Sequence, residues 1–314
     1  MRDPALIRML PDGRRLHLHD GPIDLIIQAD GSRENIAAAY EAAARRFVLI
    51  LDELCSELPL LRSQVCKDSA RPQGVTAQRM FRAVLPHAAC CFITPMAAVA
   101  GSVAEEVLSA MTSATVLERA YVNNGGDIAL HLGNAQGYTI GMVERPDRAS
   151  LFGSLEICAS NPVRGIATSG WRGRSFSLGI ADAVSVLAET ATAADAAATV
   201  IANAVDLPGH PAITRLPARE ISPDSDLGDL LVTRDVGRLT LREISAALDS
   251  GARMAESLRN HGLIHSAALH LQRQTRVVHA STELFSSSCR AGLLRRGAPE
   301  IYSQLESTGR TTHA

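Results

Sequence analysis

One stretch, residues 118–158, narrows what this chain can fold into more than any other. Arg119 to Val122 reads as a strand, Asn123-Asn124-Gly125-Gly126 turns the chain, and Asp127 to Leu132 resumes the run. Asn-Gly between two apolar runs is a strong hairpin signal, because the turn that matches strand twist needs positive φ at its centre. Gly133 to Gly137 makes another turn, and Tyr138 to Val143 and Leu151 to Cys158 read as two more strands. The expectation is an antiparallel meander.

The rest of the chain mixes this pattern with helical periodicity. Residues 14–29 read as a hairpin turning at Asp20-Gly21-Pro22, with His17 and His19 on one face. Residues 33–58 repeat apolar side chains at three- and four-residue spacing, with Ser32 as cap and Pro59 as stop. Residues 60–74 read as a loop and Thr76 to Leu85 as a short helix. Over 90–112 a short apolar strand meets Pro95, and an Ala-rich helix follows whose small side chains let a backbone or ligand come close. Ala183 to Ala188 is a buried strand and Thr192 to Val205 a helix. Residues 206–239 read as surface loops with short strands, Thr240 to His261 as an amphipathic helix, and Ile264 to Val278 as a long closing strand. No long Gly/Ser/Pro linker interrupts the chain, so 1–280 reads as one domain, with 281–314 as a polar, Arg-rich tail or partner-clasping arm.

Composition sets outer limits. With 46% hydrophobic and 20% charged residues in 314, disorder, a coiled coil and a collagen-like fibre are excluded. A net charge of −2 gives no positive field for a phosphate backbone, so nucleic acid is not an expected partner. No apolar run reaches the roughly 18 residues of a membrane span. The start, Met-Arg-Asp-Pro, does not read as a secretory signal, and the six cysteines form no CxxC pair. A cytoplasmic protein with free, buried thiols is the expectation. Of 31 basic side chains one is a lysine, Lys67, so chemistry that needs a lysine must use it or happen elsewhere.

Three segments can carry chemistry. The first is Asn123-Asn124-Gly125-Gly126-Asp127, whose paired glycines expose backbone N–H groups able to cradle a phosphate or a flavin edge, unless it is a plain hairpin turn. The second is Thr168-Ser169-Gly170-Trp171-Arg172-Gly173-Arg174-Ser175, where hydroxyls and two guanidiniums can fork onto an anion, or form a solvated loop. The third is the Ala-rich helix carrying Asp195, Thr199 and Asn203 four apart on one face. A carboxylate and a hydroxyl there, with carbonyls and water, suit Mg²⁺. The competing reading is a capping box of Thr192 with Asp195.

Together, and in this order, these segments resemble the ApbE-like superfamily, whose best-known members are flavin transferases, and within it most closely an uncharacterised (UPF) branch. The residues that carry the resemblance are Pro95-Met96-Ala97-Ala98-Val99-Ala100-Gly101, Asn124-Gly125-Gly126-Asp127, Thr168-Ser169-Gly170, Gly179-Ile180-Ala181-Asp182-Ala183 and Ala194-Asp195-Ala196-Ala197-Ala198-Thr199. The resemblance implies an α+β fold: antiparallel sheets flanked by helices, in a single domain with an internal pseudo-repeat. It implies FAD or another flavin against the Gly-Gly-Asp turn and the Thr-Ser-Gly loop, with Mg²⁺ held by Asp195 and Thr199. Pro95, Met96, Asn124, Gly125, Gly126, Thr168, Ser169, Gly170, Arg172 and Ser175 then line the ligand.

The chain departs from the transferases in two places and from the UPF branch in one. They carry Lys-Gly where this chain has Ala100-Gly101, and Lys67 lies some 33 positions earlier. They carry a His followed by Asp-Pro where this chain reads Phe176 to Asp182 without either His or Pro. The UPF branch tends to carry Gly-His-Ser where this chain has Gly173-Arg174-Ser175, and an arginine cannot serve as a general base. It can hold an anion or stabilise an oxyanion. The expectation is therefore binding of a flavin, nucleotide or similar anionic small molecule rather than FMN transfer. The alternative is a flavin-independent, metal-assisted hydrolase or related enzyme on a small carboxylate or amide metabolite. There Arg172 and Arg174 would fix the anion, and Asp127, Asp182, Asp195 or Glu105 would act as acid, base or metal ligand. A third reading is a scaffold, since Ala-rich helices and a C-terminal arm serve assembly; a homo-oligomer is an expectation.

Overall fold

Period-two alternation of apolar residues supplies the strands, and turns rich in Gly, Asn and Asp join them. The computed structural model describes residues 4–145, 148–279 and 300–301. In chain order the strands are β1 (Leu6–Met9), β2 (Leu16–Asp20), β3 (Ile23–Asp30), β4 (Arg119–Asn124), β5 (Asp127–Leu132), β6 (Gly137–Arg145), β7 (Arg148–Cys158), β8 (Gly165–Ser169), β9 (Ala183–Ala188), β10 (Ile213–Pro217), β11 (Leu231–Val236), β12 (Ser266–Leu271), β13 (Gln274–His279) and β14 (Glu300–Ile301). The helices are α1 (Arg33–Ser56), α2 (Leu58–Leu61), α3 (Val75–Val84), α4 (Val99–Ala114), α5 (Ala191–Ala204), α6 (Ala218–Ile221) and α7 (Leu241–Asn260).

Nine strands form one antiparallel sheet in the order β1-β2-β3-β4-β5-β8-β9-β12-β13. The order repeats one pattern. A hairpin (β2-β3), helices α1, α3 and α4, and a second hairpin (β4-β5) make one half. A hairpin (β8-β9), helices α5 and α7, and a second hairpin (β12-β13) make the other. The halves join where Ile128 of β5 faces Ile166 of β8. This is the α+β fold with a pseudo-repeat that the resemblance implies.

The helices cover one face. Leu18, Leu25, Ile27 and Val122 pack there against Phe47, Ile50 and Met111, and Val184 and Val186 pack with Ile201 and Leu248. On the opposite face Tyr121, Ile128, Leu130 and Ile166 meet Tyr138, Ile140 and Ile157. That second layer corrects the expected meander. Only β4 and β5 stay in the large sheet, whereas β6 pairs with β7 on one side and β14 on the other in a separate sheet. The apolar side chains on the far face of β4 and β5 need a cover, and the departing hairpin provides it.

The two halves meet where α4 crosses α5. A Cβ built on Gly101 would lie 2.3 Å from the Ala191 carbonyl oxygen, so only glycine lets the two backbones touch. Each helix caps the other. Asp195 of α5 accepts the Gly101 N–H of α4 at 2.9 Å. Glu105 of α4 accepts the Thr192 N–H of α5 at 3.2 Å and its hydroxyl at 2.6 Å. N-terminal N–H groups have no partner within their own helix, so carboxylates are favoured at both ends.

Several expectations are corrected. Thr190, not Thr192, is the N-cap of α5, and its hydroxyl accepts the Ala193 N–H at 3.1 Å. The Thr192–Asp195 capping box is absent because both side chains bond across to α4. Residues 90–94 form no strand; they lead into a short 3-10 turn, Pro95–Ala98. The closing strand is a hairpin, β12-β13, turning at Gln272 and Arg273 with φ of 42° and 69°. No Gly or Asn marks that turn, so alternation alone read straight through it. Cys55, Cys66 and Cys90 are free but exposed rather than buried, and Cys158 is disulfide-bonded. Apart from β14, the stretch expected as a tail, 281–314, lies outside the described residues. No helix among the described residues is long and apolar enough to cross a membrane.

Replacing Gly101 with alanine should force α4 and α5 apart. The expected loss is at least about 2 kcal/mol of unfolding free energy, read as a lowered denaturation midpoint; an unchanged midpoint would show that the crossing is not tightly packed.

Candidate functional site

The site lies where the pseudo-repeats converge: the β4-β5 turn, the loop after β8, and the first turns of α4 and α5. Gly125 and Gly126 occupy the turn with φ of 65° and 114°, which side chains rarely tolerate. The Asn123 side-chain oxygen accepts the Gly126 N–H at 2.8 Å. The Asn124 side chain donates to the Ala100 carbonyl at 3.1 Å, tying the turn to the start of α4. Thr168 donates its N–H to Asp127 at 3.1 Å, tying the turn to the Thr-Ser-Gly loop. Thus two of the three sequence segments are joined at Asp127, and the third enters through Asp195.

Asp127 and Asp195 act on each other electrostatically. Burial pushes the Asp127 carboxyl up, to about 7, against the opposing pull of the Thr168 N–H and the Arg174 guanidinium. Burial, followed by the charge of Asp127, pushes Asp195 well above the usual carboxylate range, while the N–H groups of Gly101 and Ala100 pull it down. Both side chains remain partly reached by solvent. Two carboxylates in such a place demand a proton or a cation. Thr199 lies one turn beyond Asp195 on the same face of α5, partly accessible, and its hydroxyl makes no hydrogen bond among the described residues. Asn203, the third member of the stripe, is fastened elsewhere, accepting the Leu178 N–H at 2.9 Å.

The two arginines of the 168–175 loop differ. Arg172 bonds Asp182 at 2.7 Å and stacks over Trp171, its guanidinium carbon 4.1 Å from the ring centroid. Arg174 is exposed and makes no hydrogen bond or ion pair among the described residues. Its guanidinium lies against Gly125, where a built Cβ would overlap it. Gly125 thus answers two demands, the positive φ and this contact.

Other candidates hold the frame. Asp182 is buried and accepts from Trp171 Nε1 at 3.2 Å, Arg172 Nε, and the Gln272 N–H at 2.7 Å, so it shapes the loop. Glu105 is shared between Arg79, at 2.9 Å, and Thr192. The Thr168 hydroxyl is bonded to Ser185 at 2.9 Å. Gly170 packs against the backbone of Ala181 and Asp182. Pro95 is buried and Met96 packs on the core, so both act through the backbone that leads into α4. The Ser169 and Ser175 hydroxyls make no hydrogen bond among the described residues, and Ser175 is exposed.

Sequence reasoning missed two supports. Gln272 holds Asp182 from the unmarked β12-β13 turn, and Asp226 bonds the Thr94 hydroxyl just before the 3-10 turn. Neither has a motif, because each acts across about 90 residues or more of chain.

The shift at Asp127 has a definite sign. Its folded value, about 7, lies above its ordinary 3.8, so the folded state binds more protons between them. Stability should therefore fall as pH rises from about 4 to about 7. Denaturation midpoints across that range should fall less steeply in Asp127→Asn; an equal slope would assign the dependence to other groups.

A family model described as "AbpE bacteria" matches residues 7–277. A UPF0280 protein of Methanopyrus kandleri is 32% identical over 187 residues, 57% of this chain and 69% of that relative. A UPF0280 protein of Methanothrix thermoacetophila is 36% identical over 121 residues, and there the match spans about half of the relative, 49%. Among solved structures, the ApbE protein of Thermotoga maritima gives a TM-score of 0.37 at 13% identity, covering 88% of this chain and 96% of that one. The Pseudomonas stutzeri flavinyl transferase ApbE gives 0.36 at 13% identity, covering 91% and 99%. Because the family model spans nearly all of the described strands and helices, the chain belongs to the family described as "AbpE bacteria" and is kin to the UPF0280 proteins.

Proposed function

We propose that the recess bounded by the Asn123–Asp127 turn, the 168–175 loop and the first turns of α4 and α5 binds an anionic small molecule of the flavin or nucleotide class together with a divalent cation. The observation that carries this reading is the convergence of two carboxylates at the start of α4: Asp195 accepts the Gly101 N–H, and the turn that carries Asp127 is tied to the Ala100 carbonyl through Asn124.

The donor set fits Mg²⁺. Asp195, Asp127 and the Thr199 hydroxyl offer hard oxygen atoms, which suit Mg²⁺ rather than a soft metal. Among the described residues no three His, Cys, Asp or Glu side chains cluster into a metal cage. The remaining oxygens would come from backbone, water and the ligand, which is how Mg²⁺ is usually held. A bound Mg²⁺ would supply positive charge that neutralises the carboxylates and polarises a phosphate oxygen. The chain's own part is to orient. The α4 N–H groups fix Asp195, the Thr168 N–H fixes Asp127, and Arg174 offers an unpaired fork for a phosphate or carboxylate.

We do not propose FMN transfer. Ala100 stands at the first turn of α4 where transferases carry lysine, and the chain's single lysine, Lys67, is exposed in a turn between α2 and α3. A second reading, a metal-assisted hydrolase on a small carboxylate or amide metabolite, draws on one observation: Arg174 fills the space over Gly125 where a flavin edge would rest.

Thermal-shift measurements with FAD, FMN and AMP, each with and without Mg²⁺, test the proposal. Flavin or nucleotide should raise the midpoint in the presence of Mg²⁺, and Asp195→Ala should lose at least about 10-fold in affinity. No shift with any of the three would sink the flavin and nucleotide reading. A shift with AMP alone would favour a smaller ligand.

A further inference from the structure

The Gly125–Arg174 contact goes beyond ligand binding as such. Arg174 comes from the loop after β8 and lays its guanidinium on the β4-β5 turn at Gly125, two residues before Asp127. Its neighbour in sequence, Arg172, is consumed by Asp182 and Trp171. Arg174 has no such partner among the described residues. Yet it is not idle, because its charge acts on Asp127. A guanidinium stays charged at every accessible pH, so it cannot be titrated out of the way.

We propose that Arg174 is a built-in counter-cation for the Asp127–Asp195 pair, competing with a divalent cation for that pair, and that it turns to the ligand's phosphate or carboxylate once the cation is bound. This rests on the metal and anion reading above and specifies how the site is regulated. The pair attracts positive charge from whichever source is at hand. Without metal, Arg174 is that source. With metal on the carboxylates, the like charges of cation and guanidinium repel, and an anionic ligand bridging the two relieves the repulsion. Metal and anion therefore bind cooperatively through Arg174: each is weak alone and stronger after the other. Gly125 is the structural condition for this, since a side chain at that position would displace the guanidinium.

Calorimetric titrations at pH 8 separate the parts. The variants are R174Q, which removes the charge, R174K, which keeps it, and D195N. The probes are Mn²⁺ alone, AMP alone in chelator-treated buffer, and AMP with saturating Mn²⁺. R174Q should bind Mn²⁺ alone roughly 3- to 10-fold more tightly, as expected for removing one positive charge near the surface. R174Q should also bind AMP at least about 10-fold more weakly and lose most of the Mn²⁺–AMP cooperativity. R174K should bind Mn²⁺ alone as the wild type does.

Unchanged or weaker Mn²⁺ binding in R174Q overturns the counter-cation role, whatever AMP does. Cooperativity retained in R174Q overturns it as well. D195N distinguishes this failure from failure of the underlying reading. If D195N loses Mn²⁺ while R174Q is unaffected, only the present inference falls. If the wild type binds no Mn²⁺, or D195N binds it as the wild type does, the metal reading falls and this inference falls with it.

Discussion

The crossing of α4 and α5 holds the molecule together. Gly101 brings the helices into backbone contact at Ala191, and the carboxylates of Asp195 and Glu105 satisfy the N–H groups at each other's helix ends. Buried N–H groups left without partners would cost about 1–3 kcal/mol each, so the reciprocal capping fixes both the register and the angle of the helices. The pseudo-repeat follows from the same contact. Each half supplies hairpins and a helix, and the joined sheet carries them on one face. Glu105 extends the joint outward through Arg79 of α3 to Glu106 and then to Arg46 of α1, linking three helices by charge.

The same joint creates the site. Asp195 caps α4, and that duty brings it to the turn at Asp127, where the two carboxylates repel. Stability and binding thus draw on one side chain in opposite directions. The capping N–H groups hold Asp195 in its charged form, while burial and Asp127 favour its protonation. In the proposed reading a cation resolves the conflict, and Arg174, lying against Gly125, is the chain's own cation near that point. Arg174 places there a permanent charge with a planar fork, which pH cannot remove.

Much of the fold was legible because local signals agreed with tertiary demands. Ser32 caps α1, Thr240 and Glu243 form the capping box of α7, and Asn123-Asn124-Gly125-Gly126 forms a two-residue hairpin turn. The failures share one cause. At Gln272–Arg273 the turn carries no residue that prefers positive φ, and at Thr192 the hydroxyl finds a distant carboxylate instead of its own helix. Asp182 read as a chemical group because it sits in a motif, yet Trp171, Arg172 and Gln272 occupy it. Pattern shows which residues are polar in an apolar setting, but not which already have partners.

By itself, the sequence determined the antiparallel strands, the long amphipathic helices, the sharp glycine turn and the small-residue helix faces, because these depend on local φ/ψ preference and on the period of apolar residues. It also determined that a polar stripe on an Ala-rich helix must face something. Only the tertiary structure decided what that was: Asp195 meets Gly101 and Asp127, Asn203 meets Leu178, and Thr199 is left open. It likewise decided which arginine is spent and which is available. Those outcomes turn on contacts between residues 10 to 94 positions apart, which local preference does not set and packing decides.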